Sequence, residues 1–124
     1  MGQFHMGDVV YAEIADPHGR LKLRPCVIVS ADDDNDAGLS LLLVAITGCE
    51  NRTIPSYHIF VHNKYGLDPL SGLIKPCYAK CNWYRNVDQS RVQSPIGEIC
   101  DAHLTEILIQ LNRILDDPDF GDWM

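Results

Sequence analysis

One change of hydrophobic period, near residue 100, constrains this chain more than any other feature. Up to Ile99 the apolar residues fall in short β-type runs broken by Gly, Pro, Asn and Asp. Beyond it Leu104, Ile107, Leu108, Leu111 and Leu115 recur at helical spacing, with Ile114 beside them. The expected strands are Gly7–Ile14, Arg24–Ser30, Leu39–Thr47, Ser56–His62, Gly72–Cys77 and Ala79–Tyr84. Val92–Ile99 is a weaker candidate, because Pro95 and Gly97 interrupt it. Arg24–Ser30 is apolar almost throughout, as in a strand buried on both faces, with Pro25 suited to its first residue. Asp101 is placed to cap the helix and Pro118 to end it. A run of strands followed by one amphipathic helix predicts an α+β, mainly β domain spanning residues 1–124, the helix packed on a small curled sheet. The acidic tail 116–124 is expected to be mobile, with Phe120 and Trp123 available to dock.

The longest apolar run, Leu41–Ile46, is far too short to cross a bilayer, and no leader pattern opens the chain. No membrane role is expected. Five cysteines (26, 49, 77, 81 and 100) cannot all pair within one chain, and Cys26, Cys77 and Cys100 sit in or beside apolar stretches. Free thiols used as small hydrophobes point to a reducing, cytoplasmic compartment.

A net charge of −7 appears hostile to a polyanionic ligand, but the charge is unevenly placed. From Glu98 onward seven acids face Arg113 alone, and Asp32, Asp33, Asp34 and Asp36 make a second acidic knot; the remainder carries nine bases and six acids. Screening limits what a ligand feels to about 8 Å at physiological salt, so the local field decides and nucleic acid remains an admissible partner.

Three signals are set aside. Asp32, Asp34 and Asp36 imitate the start of a calcium loop, but Ala37 replaces the turn glycine and Leu43 the closing Glu; a solvated loop is expected. Cys77 and Cys81, with His58 and His62, lack the usual knuckle spacing for zinc. Glycine-rich phosphate loops are absent.

Several residues stand at strand ends in an order that resembles the MazF/PemK family of toxin ribonucleases. They are Gly7-Asp8-Val9-Val10-Tyr11, Arg24-Pro25-Cys26-Val27-Ile28-Val29-Ser30 and Ala45-Ile46-Thr47, then Gly66-Leu67 with Ser71-Gly72-Leu73-Ile74. Arg85-Asn86-Val87-Asp88 with Arg91-Val92, and Ile96-Gly97, complete the set, so that the resemblance runs from Gly7 to Leu115. It implies an SH3-like small β-barrel with a C-terminal helix, a CcdB-like fold and a symmetric homodimer. It also implies a cognate antitoxin covering the active surface, and cleavage of single-stranded RNA to a 2′,3′-cyclic phosphate with no metal or cofactor.

RNA carries its own nucleophile, the 2′-hydroxyl, so the protein must neutralise the phosphorane and move two protons. An Arg suits the first task, since its fork meets phosphate oxygens in two places and it never deprotonates. The resemblance assigns that role to Arg24 and pairs it with Thr47, whose hydroxyl precedes Gly48 where the chain can bend. Some members carry a functional His in the loop where His18 stands, and an imidazole titrates near neutrality. Where one branch of the family has an Arg and an Asp as acid and base, this chain has Lys80 and Asn82. Lys80 still neutralises phosphate, as a point charge, but Asn82 is no base. Lys22, Lys80, Asn82, Trp83 and Arg85 are the candidate RNA contacts, the aromatic face stacking on an unpaired base. Trp83 and Tyr84 face opposite ways on a regular strand, so at most one meets the ligand, and the alternative for Trp83 is packing beneath the helix. The competing function is a catalytically weak or inactive member acting by protein binding, such as a CcdB-like gyrase inhibitor.

Overall fold

The computed structural model describes residues 3–16, 18–48, 58–60, 70–73 and 77–116, with 58–60 described in backbone alone. Six strands form one antiparallel sheet in the order β4-β5-β3-β2-β1-β6. The strands are β1 (Asp8–Ala15), β2 (Leu21–Ile28), β3 (Leu41–Gly48), β4 (His58–Phe60), β5 (Cys77–Val87) and β6 (Gly97–Glu98). A five-residue helix α1 (Asp32–Asp36) joins β2 to β3, and helix α2 (Asp101–Asp116) follows β6.

Alternation sends the strand residues to two cores. Val9, Val27, Val44, Ile46, Ala79 and Cys81 face one side, where Ile107, Leu111 and Ile114 of α2 complete a buried cluster. Val10, Ala12, Ile14, Cys26, Ile28, Leu41, Leu43 and Ala45 face the other and meet Phe4, Trp83, Val87 and Val92. Among the described residues no helix residue belongs to that second cluster, and the sheet curls around it. The indole N–H of Trp83 in β5 donates to the Ala15 carbonyl in β1 at 3.0 Å, although β3 and β2 lie between those strands in the sheet. An isolated bridge between Ala12 and Val92 extends the cover on the other edge of β1. The architecture is therefore the expected small barrel with a C-terminal helix, its sheet strongly curled.

Several boundaries differ from expectation, each for a local reason. β2 starts at Leu21 rather than Arg24, because the Asp16–Arg20 turn is tight enough to begin pairing at once. The Asp16 N–H donates to the Arg20 carbonyl, the Gly19 N–H donates to the Asp16 carbonyl, and Gly19 sits at φ +83°. Pro25 consequently lies inside β2, but just before β2–β3 pairing begins at Cys26, so its missing donor costs that ladder nothing. The Asp32–Asp36 knot is a helical turn rather than a loop. Buried Asn35 anchors it, accepting from Ser30 Oγ at 2.6 Å and donating to the Ser30 carbonyl, while Asp32 accepts the Met6 N–H at 2.7 Å.

Of the expected strand Gly72–Cys77, Gly72 (φ +76°) and Leu73 are not strand and Cys77 belongs to β5, while 74–76 lie outside the described residues. Asp101 is the first residue of α2 and not its cap; the first helical bond is accepted by the Cys100 carbonyl, and the Asp101 charge favours the first turn instead. On α2 the buried stripe is Ile107, Leu111 and Ile114, whereas Leu115 is exposed. The expected strand Ser56–His62 is seen as His58–Phe60, its remainder falling outside the described residues, as do His62, Pro118 and residues 117–124 of the tail.

Candidate active site at the mouth of the barrel

β2 and β3 pair over only three residues, Cys26–Ala45 to Ile28–Leu43, although both strands run on. Continuing that register two residues outward sets Arg24 opposite Thr47, on the sheet face shared with Cys26 and Ala45. The strands part here, and a cavity of about 280 Å³ opens along the seam. Lys22, Leu23, Arg24 and Pro25 line it from β2 and Ile46, Thr47 and Gly48 from β3, with Tyr11, Leu73 and Cys77 completing the wall. Among the described residues, two cations and no carboxylate stand in that lining, in a protein of net charge −7.

β5 contributes through a large irregularity. Val44 pairs with Tyr84 and Ile46 with Ala79, so four residues of β5, Lys80 to Trp83, stand against Ala45 alone. The three extra residues are an odd number, so the side-chain parity of β5 inverts: Ala79 and Cys81 face the helix side, but Trp83 and Val87 face the barrel interior. Trp83 is thereby 92% buried and ties to Ala15 through its N–H. The Arg24 guanidinium lies over its ring, 4.7 Å from the centroid, and Lys80 Nζ lies 5.8 Å from the same centroid.

Arg24 is held loosely on its remaining side. Its Nη2 is 4.0 Å from Asp16 Oδ2, at the outer limit of an ion pair. The other Asp16 oxygen accepts the N–H groups of His18 at 2.8 Å and Arg20 at 3.0 Å. The Arg20 N–H above all, then that of His18, hold the Asp16 carboxyl below its usual range, so Asp16 is a fixed anion and a poor proton acceptor. Arg24 Nε is buried and donates to no acceptor among the described residues. An unsatisfied buried donor costs about 1–3 kcal/mol, and a donor in a cationic seam is a place where an anion's oxygen fits. Beneath it the Cys26 thiol is pushed up to about 12 by burial, against the opposing effect of Arg24, and stays a neutral core residue.

The structure brings Arg24, Thr47 and Lys22 to one cavity and sets Arg24 and Lys80 each near the Trp83 ring. Asn82 lies in the same irregular stretch, its Oδ1 buried. Trp83 is neither beneath the helix nor open to an incoming base: it belongs to the interior cluster, with Arg24 and Lys80 over its ring. His18 is exposed at the hairpin tip and does not line the cavity; its backbone N–H donates to Asp16. Arg85 is removed from the seam. It pairs with Leu43, four residues or about 13 Å along β3 from Thr47, and its Nη1 donates back to the Tyr84 carbonyl at 2.8 Å. Tyr11 and Asp16 are site residues that sequence reasoning missed; the turn cluster pointed to Asp16 as a bend, and only the fold turns its second oxygen toward Arg24.

Residues 5–115 match the profile of the family described as PemK-like, MazF-like toxin of type II toxin-antitoxin system. None of the curated proteins matches the sequence. Among solved structures, an endoribonuclease in complex with its cognate antitoxin, from a mycobacterial species, is 21% identical with a TM-score of 0.69, covering 93% of this chain and 97% of that one. An endoribonuclease from a mycobacterial species is 22% identical at a TM-score of 0.68, covering 95% and 96%. A MazE–MazF structure from Deinococcus radiodurans is 16% identical at a TM-score of 0.64, covering 90% and 94%. At these identities the likeness to the solved structures is one of fold.

Proposed function

The chain belongs to the PemK-like, MazF-like toxin family of type II toxin-antitoxin systems, and from that premise we propose that it is a metal-independent endoribonuclease that cuts single-stranded RNA. The observation that carries the reading is the buried Arg24 Nε, without an acceptor among the described residues, at a seam that also holds Thr47 and Lys22. A phosphodiester lying along the seam gives that donor its acceptor and meets the positive field of Lys22, which lines the same cavity. As the 2′-hydroxyl attacks, the phosphorane gains a second negative charge. The guanidinium is already in place to meet it and needs no reorganisation, which is where such a site gains most of its rate. The Thr47 hydroxyl donates to a non-bridging oxygen. The bond from the 2′-oxygen to phosphorus forms as that to the 5′-oxygen breaks; the 2′-hydroxyl gives its proton to solvent water, the departing 5′-oxygen takes one from it, and the products end in a 2′,3′-cyclic phosphate and a 5′-hydroxyl. Because Arg24 supplies the neutralising charge, no metal is required of the mechanism.

Asp16 leaves the charge of Arg24 unquenched, since 4.0 Å between partly exposed groups is a weak pair. His18 is assigned no step while it stands at the hairpin tip. The family's toxin-antitoxin setting, and the antitoxin bound to the mycobacterial relative, support a cognate antitoxin as the partner that covers this seam. The same setting supports a homodimer working in the cytoplasm, and no helix among the described residues is long and apolar enough to cross a membrane.

The test is incubation with a mixed-sequence single-stranded RNA in EDTA, with the products read by mass spectrometry. Fragments ending in cyclic phosphate, absent when the 2′-hydroxyls are replaced by hydrogen, are the expected result. RNA left intact while gyrase supercoiling is inhibited would replace this reading with the protein-binding one.

A further inference from the structure

We propose that Trp83 is the positioning residue of this site: its buried indole ring, fixed in the interior, is the support on which the guanidinium of Arg24 rests and to which the charge of Lys80 is also drawn. The inference rests on the ribonuclease reading and adds to it a residue that touches no substrate. Two cations repel, and nothing in the pairing of β2 with β5 brings them together, since β3 separates those strands. What they share is one ring. Arg24 Cζ is 4.7 Å and Lys80 Nζ 5.8 Å from its centroid, which caps their separation at 10.5 Å.

The negative face of an aromatic ring attracts a cation most where water is excluded, and indole is the strongest of the three aromatic faces. Trp83 meets both conditions, being 8% exposed with its edge fixed by the N–H bond to Ala15. The irregularity that sets Lys80 to Trp83 against Ala45 is what turns this side chain inward while Lys80 remains beside it. A regular β5 would leave Trp83 on the helix side, away from Arg24.

Fluorinated tryptophans weaken the ring's negative face step by step while nearly preserving its shape, and they leave the N–H an equally good or better donor. Trp83 and Trp123 are the two tryptophans of the chain. The series of unsubstituted, monofluoro-, difluoro- and tetrafluoro-tryptophan is therefore incorporated in a Trp123→Phe background, and single-turnover cutting of one RNA is measured beside urea unfolding. The expected result is a graded loss of kcat, about tenfold across the series, with KM and stability level. In [15N]arginine spectra the ring-current-shifted Nε–H of Arg24 moves back toward its ordinary position along the same series. A flat kcat, or a kcat that falls only as stability falls, overturns the positioning role. A rise in KM alone shows that the ring stacks on a base, and overturns it too. Failure of the unsubstituted protein to cut any RNA removes the ribonuclease reading and this inference with it, a result told apart from the others because the Arg24 resonance still reports the stack.

Discussion

Replacing Arg24 by Ala should separate activity from stability, with the two moving differently. On the activity side the phosphorane loses a preorganised charge-assisted donor pair. Removing one such donor commonly costs about 3–4 kcal/mol, so cutting should fall by about 10²–10³. On the stability side three contributions change together. The stack on Trp83 is lost, worth about 0.5–1 kcal/mol for a partly exposed cation. The 4.0 Å contact with Asp16 is lost, worth close to nothing at that distance and exposure. Against these, the buried Nε no longer lacks an acceptor, which recovers about 1–3 kcal/mol. The net change in unfolding free energy should lie between zero and a gain of about 2 kcal/mol. Urea denaturation of both proteins, with cleavage of one RNA under single-turnover conditions, makes the comparison. A variant that loses about 2 kcal/mol or more while cutting as well as the parent refutes the reasoning on both counts, for Arg24 would then be a structural residue.

Thr47→Ala should lower the cutting rate about tenfold with little change in KM, since a neutral hydroxyl donor is worth about half a charged one; single-turnover kinetics decide it. Burial raises the Asp8 pKa above the carboxylate norm, despite the His5 N–H it accepts at 2.9 Å. The folded state therefore holds that proton to higher pH than the unfolded one, and stability falls as pH rises from 3.8 to the folded value and stays lowered above it. Asp8→Asn should accordingly be more stable than the parent at pH 7, with the difference closing below pH 3.8, as read by urea midpoints across pH. A Cβ on Gly97 would stand 2.3 Å from the Leu70 carbonyl oxygen and 2.4 Å from the Ser71 carbonyl carbon, so Gly97→Ala should cost about 2–3 kcal/mol by forcing β6 off β1.

The change of period near residue 100 foretold the mainly β body and its closing helix, because alternation and the 3.6-residue repeat are properties of local sequence. Arg24 and Thr47 were legible as a pair through the family's order of motifs, and the partial β2–β3 ladder puts them across one seam. What the sequence did not disclose was non-local. Nothing in Lys80-Cys81-Asn82-Trp83 announces that four residues oppose one, since a bulge is set by the partner strand's register and not by composition. That single irregularity turns Trp83 into the interior cluster, where it is buried with Arg24 over its ring. Asp36 and its neighbours read as a loop because four acids disfavour a helix in isolation. Their helical turn is held from outside, by Ser30, Met6 and the Gln89 side chain, which donates to the carbonyls of Asn35 and Leu39. His18 had the right chemistry in the right loop, but hairpin geometry exposes it at the tip.

The central claim concerns where the scissile phosphate sits, and a crystal structure with a bound, uncleavable oligonucleotide carrying a 2′-deoxy unit at the cut site tests it most directly. The account predicts a non-bridging phosphate oxygen accepting from Arg24 Nε at about 2.7–2.9 Å, with Thr47 Oγ1 donating to the same phosphate. An oligonucleotide bound along another face, with Arg24 still packed on Trp83 and its Nε unmet, would contradict it.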